Sequence, residues 1–341
     1  MKTKTFFNIV KTALVLTLAS VSVNALAQEL KPLKMCAFML MGESGPEAQY
    51  FRDYQAAALN WGAKIEIKPY MSEKVVVEEL KTGACDMANM SSISARSFNK
   101  FTGTLDAPAA IPTYDHLKMV LGILSKPSAE KYMRVGDYEI VGIQPAGAIF
   151  LFSNDRNVKS LADLAGKKMA VLDSMPELTK LVTDIGMTPV SSTLTNVFQK
   201  FNNKVVDIAG GPAIVYEIME LHKGLEPNGG ILSEPIVQGT VQFVARHENL
   251  PEGFAQKSRA FFYQNFDESI KLIRTAEENV PKKWWLPLPE DQRDMYNTQT
   301  RSIRLSFREQ NIYDSKMLTL LRKIRCKQQP TLAECTSKDA E

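Results

Sequence analysis

Along most of this 341-residue chain, short apolar runs alternate with helical segments, and that alternation narrows the fold more than any other feature. A strand followed by a helix and another strand is the signature of βαβ units, whose strands lie parallel in a sheet covered by helices. Leu33 to Leu40 is a continuous apolar run of the kind a buried strand requires. The loop Met41-Gly42-Glu43-Ser44-Gly45-Pro46 follows, and Pro46 suits the first turn of a helix reaching about Trp61. Lys64 to Pro69 alternates polar and apolar residues like a half-exposed strand. Ser72 then caps a helix through Val75, Val76, Glu79 and Leu80 that Gly83 ends. Asp86 to Met90 reads as a third strand, with Ser91-Ser92 opening the next helix.

A second series begins near Ile149: strand IFLFS, short helix SLADLAG, strand KMAVLD, helix PELTKLVTDIG, strand TPVSS, helix NVFQKF and strand VVDIAGG. Connections are only a few residues long, as compact units require. Ile236 to Arg246 is another extended segment, after which the chain is helical to its end. There Phe254, Phe262, Phe266, Ile270 and Ile273 recur at helical spacing, a stripe read as core. Trp284 to Pro289 interrupts the helices as a stiff aromatic turn. The expected architecture is α/β and two-lobed, with mainly parallel sheets and a helical C-terminal region. Residues 28–145 with 235–265 are expected to make one lobe, and 146–234 with 266–341 the other.

Residues 1–27 have the layout of a secretory signal: Lys2, Lys4 and Lys11 precede an apolar stretch that ends at Ala25-Leu26-Ala27. Cleavage before Gln28 is expected, because the uncharged stretch is shorter than the roughly 20 residues of a membrane anchor. No later stretch is long and uncharged enough to span a bilayer, so a channel or pump formed by this chain alone is excluded. Without the leader the chain carries 38 basic and 38 acidic residues. That neutrality, with no long basic run, argues against nucleic acid and anionic membrane surfaces as partners. Four cysteines in an exported chain suggest disulfides. Cys326 and Cys335 flank the Pro330 turn and are expected to bridge; Cys36 and Cys85 are left to pair or to stay as buried thiols.

Residues 160–212 resemble the centre of a TRAP-transporter solute-binding protein of the DctP type. Asp163-Leu164-Ala165-Gly166-Lys167-Lys168, Gly186-Met187-Thr188-Pro189-Val190 and Val205-Val206-Asp207-Ile208-Ala209-Gly210 carry the likeness, with Gly83 and Asp86 adding to it nearer the N-terminus. The resemblance implies a type II periplasmic-binding-protein fold and a solute-binding role. In that family two arginines hold a substrate carboxylate; their places fall on Ile149 and Ala170, so both charges are missing and a simple dicarboxylate is not expected. The chain also resembles AdeT-type proteins, a group described as RND-type aminoglycoside efflux pumps. A pump of that class needs many membrane spans, so the resemblance implies at most drug binding or a periplasmic accessory or scaffold role beside a pump made of other chains.

In open α/β lobes, ligands sit beyond the carboxyl ends of parallel strands. Glu43, Ser44, Gly45, Ser91 and Ser92 from the first lobe are therefore the candidate ligand-binding residues. From the second come Ser153, Asn154, Asp173, Ser174, Gly211, Pro212 and Tyr216. Glu43 and Asp173 favour a cationic or zwitterionic solute. Arg96 either replaces the missing clamp or is a solvated surface residue, and Tyr50 and Trp61 either stack on a ligand or belong to the core. Only His116, His222 and His247 occur, without metal-ligand spacing, and no nucleophile elbow or phosphate loop is present. The expectation is a periplasmic, non-enzymatic binding protein with no cofactor or metal. Its expected partners are a small-molecule ligand and membrane transporter subunits, with the chain itself a monomer.

Overall fold

The computed structural model describes residues 29–39, 42, 47–336 and 341. The expected leader lies outside these residues, as do Glu43, Ser44 and Gly45. Eleven strands are present: β1 (Lys31–Phe38), β2 (Ala63–Tyr70), β3 (Met87–Ser91), β4 (Arg134–Val135), β5 (Tyr138–Ser153), β6 (Lys168–Leu172), β7 (Thr188–Ser192), β8 (Ile208–Pro212), β9 (Gly230–Leu232), β10 (Val237–Arg246) and β11 (Trp285–Leu286). They form one sheet in the order β2-β1-β3-β10-β5-β8-β6-β7, with β4, β9 and β11 off this path. β1 runs parallel to β2 and β3, and β6 parallel to β7 and β8. Between these two parallel sets, β10 and β5 run antiparallel to each other and to their outer neighbours β3 and β8. The chain is thus α/β, with a parallel sheet in each lobe and two long antiparallel strands joining them.

IFLFS is the end of the 16-residue strand β5, not a strand of its own. The strand contains Gly142, Pro145 and Gly147. Its register against β10 slips twice, between Gly239 and Thr240 and between Phe243 and Val244, which leaves an extra residue on β5 each time. Gly147 takes a φ of +101°, which side chains other than glycine rarely adopt.

The core divides by sheet face. Leu33, Met35, Phe51, Tyr54, Phe243, Phe254 and Phe262 fill one face of the first lobe, and Tyr50 and Trp61 pack against them. Leu151, Val158, Val171, Val182 and Ile208 fill the corresponding face of the second. A larger cluster covers the opposite face and includes Val76, Phe152 and Met317. The aromatic stripe is core as expected, but it spans two helices, Phe254–Gln264 and Phe266–Asn279, that meet at Asn265. The aromatic turn after Trp284 contains β11, paired in parallel with β9.

Both disulfides are formed, Cys36–Cys85 and Cys326–Cys335. The first ties residues 49 apart in sequence, worth about 4 kcal/mol as a restriction of the unfolded chain.

The C-terminal helices are placed differently from the expected grouping with the second lobe. The helix Arg293–Glu309 starts at a second-lobe residue, where Arg293 pairs with Glu234 at 3.0 Å. Further along, Arg304 donates to the Pro108 carbonyl at 2.8 Å, and Arg325 of the helix Ser315–Gln328 to that of Ala110 at 2.7 Å. Sequence order put these helices with the segment before them; their side chains carry them back to the first lobe.

Candidate functional site

Register fixes where the strand ends meet. The last residue of β3, Ser91, lies opposite Val241 of β10. The last residue of β8, Pro212, lies opposite Ile149, which in turn faces Val237 of β10. The carboxyl ends of the two parallel sets therefore converge on a five-residue stretch of β10, Val237 to Val241, beside the paired Gly147 and Gly239. Both glycines are needed there, since a Cβ on Gly239 would stand 2.9 Å from the Gly147 carbonyl oxygen.

Ser153 and Asn154 are not at this junction, which corrects the sequence reading. β5 runs antiparallel to β8, so its carboxyl end lies beside Ile208, the first residue of β8. There the Ser153 hydroxyl donates to the Asp155 carbonyl at 2.9 Å, and Asn154 bonds the Asp207 carboxylate at 3.1 Å. Both are turn contacts at the far edge of the sheet.

Among the described residues, Ser91, Ser92, Asp173, Ser174, Gly211 and Pro212 keep the strand-end position, with differing surroundings. Ser91 caps the turn Ser92–Ala95 through a 3.4 Å bond from the Ser94 N–H, and Ser92 is buried. The Ser91 N–H and the Ser94 hydroxyl both donate to the Glu73 carboxylate, the latter at 2.9 Å. A carboxylate of the chain itself thus occupies the donors that a helix start would offer an anion. In the second lobe, Asp173 and Ser174 are exposed, with the Asp173 N–H bonded to the Ser192 carbonyl at 2.9 Å. Gly211 makes room for the Phe198 ring, which would stand 2.7 Å from a Cβ, and Pro212 packs 3.2 Å from the Cβ position of Gly147. Tyr216 is buried in the core. Tyr50 and Trp61 pack on Phe261 in the first-lobe core.

Arg96 is the residue that the structure most changes. It is not a solvated surface arginine: its side chain is only 11% exposed, and its guanidinium joins the lobes. Nη2 binds Asp106 Oδ2 and Nη1 binds Glu177 Oε1, each at 2.5 Å, and the group lies 5.1 Å from the centre of the Tyr313 ring. Glu177 is the second residue of the helix Pro176–Asp184, which follows β6. Burial disfavours the Arg96 charge, but the adjoining carboxylates outweigh burial and hold its pKa above the ordinary value. Burial pushes the Asp106 carboxyl up to about 6 against the pull of Arg96, and the Tyr313 hydroxyl lies alongside.

The floor of the junction is polar. Thr102 donates to Gln242 at 2.8 Å, and the Ala109 N–H donates to the Ile236 carbonyl at 2.8 Å. These two anchors lay the segment 102–109 along β10. Asp106 Oδ1, Gln238 Oε1 and Thr240 Oγ1 are all buried without a hydrogen-bond partner. Ile149 packs on Gly210 and Gly239, and Ala170 is buried, so apolar side chains stand where the resemblance implies arginine.

Other chemistry-bearing groups are committed elsewhere. Cys36, Cys85 and Glu79 lie within 4.8 Å of one another, but the two sulfurs are bonded together and offer no thiolate to a metal. His116 shares a 2.7 Å hydrogen bond with Thr113, and burial lowers its pKa; His247 pairs with Glu139 at 2.7 Å. Among the described residues, no helix is long and apolar enough to cross a membrane.

The family model of the solute-binding protein AdeT 1/2 matches residues 47–340. The chain belongs to the AdeT 1/2 family of solute-binding proteins. A curated relative, "Probable solute-binding protein AdeT1" of Acinetobacter baumannii, is 38% identical over 299 residues, which cover 88% of this chain and 98% of that protein. "Probable solute-binding protein AdeT2" of the same organism is 26% identical over 235 residues, 68% of this chain and 98% of the relative. Among solved structures, a TRAP periplasmic solute-binding protein from Ralstonia eutropha with bound (S)-2-acetolactate superposes with a TM-score of 0.70 at 15% identity, covering 87% of this chain and 99% of that one. Another, from Haemophilus influenzae with bound L-gulonate, gives 0.69 at 14%, covering 86% and 99%. At such identities the likeness is one of fold, and it joins the AdeT 1/2 family to the TRAP binding-protein architecture.

Sequence reasoning missed Asp106, Glu177 and Tyr313 as members of this junction. Glu177 was within reach, since the strand-end rule that selects Asp173 and Ser174 applies three residues further on. Asp106 and Tyr313 carry no such signal, because long-range packing alone brings them to Arg96.

Proposed function

We propose that this member of the AdeT 1/2 family is a periplasmic receptor that captures a small polar solute between its lobes and presents it to membrane transporter subunits, without chemistry of its own. The observation that carries the reading is the Arg96–Glu177 bridge, a charged contact between the lobes at the point where the two sets of strand ends converge. Ser91, Ser92, Asp173, Ser174, Gly211 and Pro212 border that point, with Glu43, Ser44 and Gly45 following the first strand.

The solute differs in kind from a dicarboxylate. The neighbours' ligands include (S)-2-acetolactate, L-gulonate and orotic acid, each a single acid. Here Ile149 and Ala170 offer no charge, and Arg96 already has two carboxylate partners. A second carboxylate would be buried without a cation, at a cost of several kcal/mol. A scaffold role beside a drug-efflux pump is disfavoured by the match to solute-binding proteins over almost the whole chain.

Native mass spectrometry of the freshly purified, exported protein tests the receptor reading. A retained small molecule is expected, and adding it back to refolded protein at 100 times its Kd raises stability by about 2.7 kcal/mol. Malate and succinate are expected to give no shift. Absence of any retained mass, together with no thermal shift across a metabolite library, would overturn the reading.

A further inference from the structure

Arg96 has two carboxylate partners that behave differently when the lobes part. Asp106 belongs to the segment laid along β10, on the same lobe as Arg96, and stays with it. Glu177 departs with the helix after β6. Opening therefore uncovers Nη1 of a guanidinium on one wall and a carboxylate on the other, two complementary charges that satisfy each other only while the cleft is shut. A molecule suited to that gap carries both charges in the reverse order.

We propose that the solute is a zwitterion of the α-amino acid class, its carboxylate taking the place of Glu177 on Arg96 and its ammonium binding Glu177. This rests on the receptor reading above and names the class of solute for the same junction. An acid without an ammonium group displaces Glu177 and leaves that carboxylate unpaired in a closing cleft, which disfavours it strongly. An amine without a carboxylate leaves Arg96 with Asp106 alone and forfeits one of the two charge-assisted contacts.

The test is calorimetric titration of the refolded, ligand-stripped protein with each of the twenty L-amino acids, then with the deaminated and decarboxylated analogues of the tightest binder. At least one amino acid is expected to bind with micromolar affinity or better, and each single-charge analogue at least about 100-fold more weakly. Glu177→Gln is expected to weaken the amino acid about 10-fold or more and to narrow its advantage over the deaminated acid, because the internal competitor is gone. Arg96→Lys, which keeps a cation beside Asp106 so that the fold is preserved, is expected to weaken it similarly. The proposal is overturned if no amino acid binds, if the deaminated acid binds as tightly, or if both variants retain the affinity of the unaltered protein. A retained ligand that is not a zwitterion would sink this proposal and leave the receptor reading standing, whereas no ligand of any kind would sink both.

Discussion

Two buried ion clusters in this molecule use the same chemistry to opposite ends. In the first lobe, Glu139 at the start of β5 binds Arg259 of the helix Phe254–Gln264 at 2.5 Å and His247 at 2.7 Å, with Arg259 4% and Glu139 2% exposed. All three groups belong to elements packed in one body, so the only way to separate them is to unfold it. At the junction, Arg96 binds Asp106 within its own lobe and Glu177 from the other. One of those contacts is as fixed as the Glu139 pair, whereas the other links the two lobes and would break on the opening that the proposed receptor role requires. Topology, rather than distance or burial, decides whether an ion pair is a staple or a latch.

The largest expected effect breaks the staple. Glu139→Ala leaves the Arg259 guanidinium buried with only the Ile140 carbonyl and Gln256 as partners, and removing one member of such a pair costs about 3–5 kcal/mol. Urea denaturation should show a lower midpoint with an unchanged slope. A loss below about 1 kcal/mol would place this pair among the latches and erase the contrast.

A smaller effect reads the fixed half of the junction. In the folded chain the Asp106 carboxyl sits at about 6, above its ordinary 3.8. Between those values the folded state holds a proton that the unfolded state has released. This contribution is therefore fully present below about pH 4 and is lost as pH rises through 6. Two units correspond to roughly 2–3 kcal/mol. Comparing unfolding free energies at pH 4.5 and 7 should show a difference between the unaltered protein and Asp106→Asn, in which this component is absent. Equal pH dependences in the two would mean that Arg96 holds Asp106 fully ionised, and that the carboxylate is no more strained than those at the surface.

The same contrast marks what the sequence makes legible. Strands show themselves because a buried strand must be an apolar run, as Met35 to Phe38 and Met169 to Leu172 are. Strand direction leaves no local trace. Ser153 and Asn154 were placed at the cleft only because β5 was read as one more parallel strand, whereas it is an antiparallel tie running through both lobes. Gly142, Pro145 and Gly147 lie within it, and a bulge and a break look alike in one dimension. Arg96 was visible as a cation in a strand-end helix. Its partners were not, because Asp106 lies on a segment that the Thr102–Gln242 bond holds to β10, more than a hundred residues away, and Tyr313 arrives on the returning C-terminal segment. The missing arginines at Ile149 and Ala170 were readable residue by residue, and they prepared the question that the Arg96 cluster now reframes.

The smallest effect on stability, and the sharpest on shape, is expected from the latch. Glu177 is only 14% exposed in the closed form, but opening returns it to water without unfolding anything, so Glu177→Gln meets none of the desolvation cost that Glu139→Ala does. Its melting temperature should therefore stay close to that of the unaltered protein, with a change in free energy of about 1 kcal/mol or less. The radius of gyration from small-angle scattering of the ligand-free variant should instead increase, because the charge contact between the lobes is gone. A fall in melting temperature as large as that of Glu139→Ala, with no change in radius, would show that the bridge is part of a single rigid core. The two clusters would then be the same device in two places.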